Sequence, residues 1–432
     1  MEKILNTFLQ TTYRERELLK LLWIGFLLYT LSYTLSTTTY VNFIICQGLQ
    51  IVGLLLFIPS FIALIKFRLR NTYLQVLFTL YMIWVTIIVI RGFPGNYGEI
   101  KFMILDAWFG GILYLSPLFL LLPLKFFYLK KLFQAIFFLA ITFLFYDAFF
   151  IKDLLSRGES LSSLNIVEYF SKTLAVPAFF LLMVYHYHSN RRKLFLILIL
   201  LVTVFFALVR ARRGLLFMCA LTAIFSYLLF LSQTRNKIFL VLLTFFGGGI
   251  LLIFGLEFFA SQKNSIFDLI IDRGIEDTRS TVEICFYQDL SFKDLIIGKG
   301  MMGEYFCPGI DADNVTGYRS TIETDYLQLI LKGGLISLSL FLLITIPAVF
   351  KGLFYSKNLL SKTAALWIVW ILFNMYPSTI HTFTLQYVLL WIAVGICYSK
   401  NIRYIPDQIL VQYFRGDVNP VSNYPKSNKL KV

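Results

Sequence analysis

The sequence predicts an all-α polytopic membrane protein with about twelve transmembrane helices and one large loop. Of its 432 residues, 58% are hydrophobic and only 15% are charged, which is less charge than a soluble domain carries. Apolar runs of about 18 or more residues recur along the chain, and each is long enough to cross a bilayer. Continuous runs of this length indicate helices, because only helices and closed barrels satisfy their backbone hydrogen bonds in lipid. One polar, acidic stretch, residues 259–323, interrupts this pattern.

The predicted spans form a single integral membrane domain over residues 1–432. The large loop, residues 259–323, lies between the ninth and tenth spans, and a polar tail, residues 400–432, follows the last span. The spans are expected at residues 18–36, 41–65, 73–90, 103–122, 132–150, 166–186, 194–209, 214–232, 238–258, 325–350, 363–380 and 383–399.

Lysine and arginine set the expected orientation, because the cytoplasmic loops of membrane proteins are rich in these residues. With the N-terminus inside, basic residues fall in each short inner loop, for example at residues 66–70, 125–131 and 191–193. The same assignment places both termini in the cytoplasm and residues 259–323 outside. It also accounts for the net charge of +15 without a nucleic-acid partner.

The five cysteines divide into two groups. Three lie inside apolar spans, where a thiol behaves as a small core side chain. Cys285 and Cys307 share the large loop and can form a disulfide if the loop is extracytoplasmic, although two isolated cysteines leave the bond open. No cysteine and histidine cluster indicates a metal site.

Three arginines, Arg210, Arg212 and Arg213, stand together in the outer turn between the seventh and eighth spans. Two interpretations remain open for them. Long basic side chains at a span end often extend to the lipid headgroups. Three arginines on an outer turn nevertheless oppose the usual charge bias, and guanidinium groups suit phosphate oxygens, so an anion site is the second interpretation.

The large loop contains an expected amphipathic helix that ends near Asp289 and a glycine-rich turn, GKGMMG, that follows it. Arg279 lies four residues before Glu283, so an ion pair along one helix face is the simple interpretation of that arginine. Near the end of the loop, Arg319, Glu323 and Asp325 cluster just above the tenth span.

Two interpretations of this second cluster remain open. Ser320 or Thr321 can cap the helix, with Glu323 in its first turn and paired with Arg319. Alternatively, the charges form a functional site. His381, in the short outer turn YPSTIHTF, is a secondary catalytic candidate, although a lone histidine is more often an interfacial residue.

Three segments resemble the O-antigen polymerase and O-antigen ligase superfamily. They are ARRGLLFM, DTRSTVEICFYQDLSFKDLIIGKG and ETDYLQLILKGGLISL, so the resemblance covers about residues 200–350, and the overall twelve-span layout adds to it. Ligases of that superfamily usually have a His-Asn-Asp-Tyr-Leu pattern where this chain has Glu323-Thr324-Asp325-Tyr326-Leu327. Since the large loop contains no histidine, the resemblance favours a polymerase.

The resemblance implies a glycosyltransferase of the bacterial inner membrane that needs no cofactor and no metal. It implies transfer of a glycan from an undecaprenyl-diphosphate carrier to a sugar hydroxyl at the periplasmic face, with the bilayer and a chain-length regulator protein as further partners. An O-antigen ligase and a lipid-linked oligosaccharide flippase are the alternatives. The residues expected to hold the diphosphate are Arg210, Arg212, Arg213, Arg279 and Arg319, with Glu323 as the base and Asp325 as second candidate.

Overall fold

A computed structural model describes most of the chain. It covers residues 8–416, apart from residues 39, 68, 94, 156–160, 235, 243, 245, 247–277 and 311–315. The described part is mostly helical, and its strands are two short segments of two residues each.

Short turns connect most of the consecutive helices in the described residues. They are α1 Tyr13–Ser36, α2 Phe43–Leu64, α3 Thr72–Arg91, α4 Tyr97–Leu105, a 3-10 helix Gly111–Leu121, α5 Phe126–Phe149, α6 Ile151–Leu155, α7 Leu161–Phe170, a π-helix Ser171–Ala175, α8 Val176–Met183, a 3-10 helix Tyr185–Tyr187, α9 Asn190–Val209, α10 Arg213–Gln233, α11 Thr278–Asp289, α12 Phe292–Ile297, α13 Asp325–Phe354, α14 Leu359–Asn374, α15 Leu385–Tyr398, α16 Lys400–Arg403 and α17 Asp407–Arg415. Strands β1 Tyr305–Phe306 and β2 Tyr318–Arg319 pair in antiparallel fashion.

The described helices confirm a multi-pass, all-α membrane protein. Eight of them are long and apolar enough to cross a membrane, namely Tyr13–Ser36, Phe43–Leu64, Thr72–Arg91, Phe126–Phe149, Ile166–Met183, Asn190–Val209, Arg213–Gln233 and Asp325–Phe354. Three shorter apolar helices, Gly111–Leu121, Leu359–Asn374 and Leu385–Tyr398, occupy the positions of other expected spans. Most of the ninth expected span, residues 238–258, lies outside the described residues, so the total of twelve stays a prediction.

The fourth expected span, residues 103–122, is not one continuous helix. Helix α4 ends at Leu105, and the carboxylate of Asp106 accepts hydrogen bonds from the backbone N–H groups of Trp108 and Phe109 at 2.8 and 2.7 Å. An aspartate side chain that binds nearby backbone in this way competes with helical hydrogen bonding. The chain resumes after this turn as a 3-10 helix.

Helix α15 forms the centre of the membrane domain, since all of its 14 residues are buried. Trp391 on α15 contacts the rings of Tyr81 on α3 and Phe341 on α13, with centroid distances of 5.4 and 6.2 Å. A helix that is apolar on all sides is expected in the interior of a bundle. The two ends of this helix therefore lie near opposite faces of the domain.

Helix α13 breaks at Gly334, whose φ of +68° is left-handed. The break leaves carbonyl groups without helical partners, and the glycine-rich turn after α12 binds them. Lys299 and Gly300 donate their backbone N–H groups to the carbonyls of Leu331 and Lys332 at 2.7 and 3.0 Å. The predicted turn is therefore a docking element that fixes the large loop to the membrane domain.

The described part of the large loop has a small core of its own. Helix α11 packs against β1 through Phe286 and Tyr305, whose ring centroids lie 5.7 Å apart. A disulfide joins Cys285 on α11 to Cys307, which directly follows β1, with 5.2 Å between their Cα atoms. The loop is thus held at α11 by the disulfide and at α13 by the glycine-rich turn.

Candidate functional site

A cavity of about 370 Å³ lies where the large loop meets the ends of several membrane helices. Its walls come from the π-helix region, the turn between α9 and α10, the start of α11 and the turn after α14. The residues that line it are Glu168, Lys172, Ala211, Arg212, Arg213, Gly214, Leu215, Arg279, Glu323, Pro377, Ser378 and Thr379. Four of the expected site residues, Arg212, Arg213, Arg279 and Glu323, therefore come together here.

The arginine turn has a well-defined helix-capping geometry. Ala211 has a φ of +50°, the N–H of Arg212 binds the carbonyl of Ala207 at 2.8 Å, and the N–H of Ala211 binds that of Leu208 at 3.1 Å. These two bonds define a Schellman motif, which usually places glycine at the left-handed position. An alanine there costs roughly 1 kcal/mol or more, so the local sequence accepts strain to form this turn.

Helix α10 begins immediately after this turn and directs its N-terminus at the cavity. Arg213 is its first residue, and Arg212 at the N-cap supplies no side-chain cap. The N-terminus of a long helix carries a partial positive charge and suits an anion. Gly214 permits close approach of the turn after α14, because a Cβ atom on it would lie 2.7 Å from the Ser378 hydroxyl.

Arg279 and Glu323 form an ion pair at the rim of the cavity. The distance from Arg279 Nε to Glu323 Oε2 is 3.0 Å, and Arg279 also donates to the carbonyl of Pro377 at 2.9 Å. The Glu323 side chain remains 67% exposed. Arg279 therefore holds a carboxylate that is still accessible to solvent.

The positions of Arg279 and Glu323 are fixed by a hydrogen bond between the loop helix and the start of α13. Thr324 is the N-cap of α13, and its hydroxyl donates to Glu283 on α11 at 2.6 Å. Glu283 is thus not the ionic partner of Arg279 in the described structure, and the expected pair along one helix face does not form. The pairing occurs across the loop because α11 lies beside the start of α13.

Glu168 and Lys172 line the cavity but are not among the site residues predicted from the sequence. They form an ion pair on the wall of the cavity, and Glu168 also lies 3.4 Å from Arg212. The Lys172 side chain is only 5% exposed and its ammonium group stands over the ring of Trp108. The sequence contained a sign of this pair, because an acid and a base four residues apart stand inside an apolar run. Ionisable residues in a membrane span are candidates for function.

The π-helix Ser171–Ala175 carries Lys172 and explains how this lysine faces the cavity. A π-helical turn inserts an extra residue, which shifts the helix faces before and after it, and such turns occur often at functional sites. Pro177 begins the next helical turn, where a missing N–H is tolerated.

The side chains on the cavity wall give it a net positive charge. Lys172, Arg212, Arg213 and Arg279 contribute four cations, whereas Glu168 and Glu323 contribute two carboxylates, so the balance of the lining is +2. Guanidinium groups bind phosphate oxygens in a two-pronged geometry and keep their charge at any working pH. The cavity therefore suits a dianionic ligand.

Asp325 is a structural residue in this geometry. It is completely buried, and its Oδ2 atom accepts hydrogen bonds from the N–H groups of Ile380 and His381 at 3.1 and 2.8 Å. These bonds fix the turn that supplies Pro377, Ser378 and Thr379 to the cavity. The second candidate for a base therefore has no access to substrate, because tertiary packing encloses it.

His381 is also enclosed and does not line the cavity. Its ring packs against Tyr387 at 4.8 Å and Tyr114 at 6.1 Å. Burial lowers the pKa of His381 to about 3, so the imidazole is neutral at physiological pH. Its backbone N–H, rather than its ring, takes part in the turn.

Two of the expected diphosphate residues lie outside the cavity lining. Arg210 is the C-cap of α9 and is almost fully buried, while Arg319 lies on β2 opposite Tyr305. The expected cap geometry is also wrong, because α13 begins at Asp325 after Thr324, so Glu323 precedes the helix. Arg319 was expected to pair with Glu323 across one helical turn, but Arg319 lies on a strand, where residues four apart do not share a helix face.

Within the described residues, no group of histidine, cysteine, aspartate and glutamate side chains is arranged to hold a metal ion. No protein-family model, no curated protein and no solved structure matches the chain.

Proposed function

We propose that the chain is a polysaccharide polymerase of the bacterial inner membrane. It transfers an O-antigen, capsule or exopolysaccharide repeat unit from undecaprenyl diphosphate to a sugar hydroxyl of another lipid-linked unit. In this proposal the chain has twelve spans and cytoplasmic termini, and residues 259–323 face the periplasm. A chain-length regulator protein is a further partner.

The observation that carries the proposal is the charge of the cavity. Four cations, two carboxylates and the N-terminus of α10 meet in about 370 Å³ at the end of a membrane domain. A diphosphate needs cations of this kind, and arginines supply them without a metal ion. The volume is that of a small-ligand site, so the diphosphate and the first sugar fit, and the lipid extends into the bilayer.

The disulfide in the large loop supports the proposed orientation. Cys285 and Cys307 are bonded, whereas Cys46, Cys219 and Cys397 are free and buried. Structural disulfides form and persist in extracytoplasmic compartments such as the bacterial periplasm. The basic residues of the short loops on the other side favour the same orientation.

The proposed reaction is a displacement at the anomeric carbon of the donor sugar. The acceptor hydroxyl attacks that carbon and gives its proton to Glu323, which is the general base. The bond between the anomeric carbon and the diphosphate oxygen breaks, and undecaprenyl diphosphate leaves with the electron pair. Arg212, Arg213 and the N-terminus of α10 stabilise the charge of the leaving group, so it requires no protonation.

Arg279 and Lys172 have supporting roles in this mechanism. Arg279 fixes Glu323 through the 3.0 Å ion pair and extends toward the turn at Pro377. Lys172 adds a buried positive charge whose partner, Glu168, also positions Arg212.

The test uses a strain that lacks the gene and the purified protein. The gene deletion should remove long glycan chains while single repeat units remain attached to their acceptor. The purified protein, supplied with undecaprenyl-diphosphate-linked repeat units, should make longer lipid-linked chains and release undecaprenyl diphosphate. The Glu323→Gln protein serves as the inactive reference.

Two outcomes would replace this function with one of the alternatives. Long chains that accumulate on the carrier without transfer would indicate a ligase. Lipid-linked units that remain at the cytoplasmic face would indicate a flippase.

A further inference from the structure

A second cavity of about 500 Å³ lies at the end of α15 that is opposite to the candidate site. The residues after α15, Ser399 and Lys400, line it, while the turn that leads into α15 lines the first cavity. With 14 residues, α15 separates the two cavities by roughly 20 Å. The second cavity is therefore independent of the candidate active site.

The charged residues that line the second cavity are all basic. They are Lys66, Arg70, Lys125 and Lys400, and no carboxylate lines it among the described residues. Lys125 has an acidic partner, Glu15, at 2.7 Å. The described structure shows no ion pair for Lys66, Arg70 or Lys400. Glu15 pairs with Lys125 and also interacts electrostatically with Lys66, and against this one described acid the lining holds three cations in excess.

Helix dipoles do not account for this site. Helices α3 and α5 begin at the cavity, whereas α2 and α15 end beside it, so their partial charges largely offset one another. The side-chain cations determine the local potential. A binding partner of the cavity is therefore an anion.

Much of the remaining wall is apolar, with uncharged polar groups at Asn71, Ser399 and Asn401. Phe8, Leu74 and the leucines at 120–122 line it, and the neighbouring residue Phe67 is highly exposed. A small inorganic anion would leave these walls unfilled, whereas a phospholipid presents a phosphate beside its acyl chains. Basic pockets between membrane helices at the cytoplasmic side are suited to anionic lipid headgroups.

We propose that this cavity binds an anionic glycerophospholipid, with Lys66, Arg70 and Lys400 on its phosphate. The assignment to the cytoplasmic leaflet rests on the orientation given under the proposed function, but the binding chemistry does not. A bound lipid at this position joins α2, α3 and α15, so it stabilises the bundle at the end where the large loop is absent.

The experiment measures lipid binding to the purified protein in a neutral detergent. Native mass spectrometry and thermal unfolding are recorded with phosphatidylglycerol, with phosphatidylcholine and with inorganic phosphate. Phosphatidylglycerol should remain bound and raise the unfolding temperature, while phosphatidylcholine and inorganic phosphate should have little effect. The triple variant Lys66→Gln, Arg70→Gln and Lys400→Gln should bind phosphatidylglycerol about tenfold more weakly or worse.

A matched triple variant keeps the test specific. Arg14→Gln, Arg191→Gln and Lys357→Gln remove the same charge from exposed positions outside the cavity and should leave lipid binding within about twofold of the unchanged protein. Equal binding of phosphatidylcholine, equal binding of inorganic phosphate or equal weakening in both triple variants would overturn the proposal. Glu323→Gln should bind phosphatidylglycerol as the unchanged protein does. Failure of the polymerase proposal would therefore appear in the synthesis assay alone, and failure of the lipid proposal would appear in the binding assay.

Discussion

The two cavities at the ends of α15 both contain four basic residues, but they differ in how the chain neutralises them. In the first cavity, Glu168 and Glu323 form ion pairs with the cations, and the large loop partly encloses the site. In the second cavity, the chain neutralises Lys125 through Glu15 but supplies the other three cations with no described ion pair. The surface of the first cavity is mainly polar, and that of the second is mainly apolar.

This difference separates two kinds of anion binding. Carboxylates within a cationic site position the cations and lower the affinity of the site for an anion. A lower affinity suits a substrate that must be released after reaction. Cations in excess of the nearby acid, beside mainly apolar walls, suit a ligand that stays bound. The comparison makes predictions at each end, and we give them from the largest expected effect to the smallest.

Removal of the base should have the largest effect. Glu323→Gln preserves the shape of the side chain but cannot accept the proton, so polymer synthesis should fall by about 10²–10⁴-fold. Synthesis by the purified variant is measured against Glu304→Gln, an exposed acid of the same loop outside the cavity lining. Normal synthesis by Glu323→Gln would remove its role as a base.

Substitution of the cavity arginines tests the two-pronged geometry. Arg213→Lys and Arg279→Lys keep the charge but lose the planar fork, and each should reduce polymer synthesis by roughly ten- to a hundredfold. Protein levels in the membrane should not change. Arg14→Lys, at an exposed position outside the lining of both cavities, is the control. Full activity of both cavity variants would contradict the assignment.

Disruption of the buried ion pair should destabilise the first cavity. Glu168→Gln leaves the buried Lys172 without its ionic partner Glu168. The free energy of unfolding should therefore decrease by about 3 kcal/mol. The double variant Glu168→Gln and Lys172→Met removes both charges, so it should recover much of the unfolding temperature while synthesis stays low. A double variant as unstable as the single one would show that the pair does not determine local stability.

The docking of the large loop depends on Gly334. An alanine there meets both a φ of +68° and the carbonyl oxygen of Ile296, so Gly334→Ala should lower the unfolding temperature and polymer synthesis together. Gly48→Ala, a helical glycine with open space around it, is the matched control and should be neutral or slightly stabilising. Lipid binding at the opposite end should persist in both.

Acid should affect both ends through buried histidines, with a smaller effect. Burial lowers the pKa of His381 and of His188 to about 3, and nearby cations contribute at His188. Below pH 6.5 the unfolded chain binds protons that the folded chain does not, so stability should fall as the pH decreases toward 3. Thermal unfolding across this range should become less pH-dependent in His381→Gln and in His188→Gln.

The same histidine makes a prediction about catalysis. Because His381 is neutral between pH 6 and 8, the rate profile of polymer synthesis in that range should be the same in His381→Gln as in the unchanged protein. Loss of a titration step in the variant would show that the imidazole takes part in the reaction.

Local patterns of the sequence were enough to predict the helical membrane class and several parts of the candidate site. Long apolar runs predicted helices, because lipid leaves the backbone no other partner. The arginine turn, Arg279 and Glu323 were recognised as charges at span ends, and four of the expected site residues line one cavity. Sequence also indicated the glycine-rich turn and left the disulfide open, and both are present.

The tertiary structure decided which charges meet and which are enclosed. Spacing suggested Arg279 with Glu283 and Arg319 with Glu323, but the helix begins at Asp325 and Arg319 is on a strand, so the pairs rearrange across the loop. Asp325 and His381 were catalytic candidates, yet both are buried, Asp325 against the turn at residues 380–381 and His381 against Tyr114 and Tyr387. Lys172 faces the cavity because it lies in a π-helical turn. Sequence sets charge and hydrophobicity residue by residue, whereas pairing and burial depend on contacts between segments that are distant along the chain.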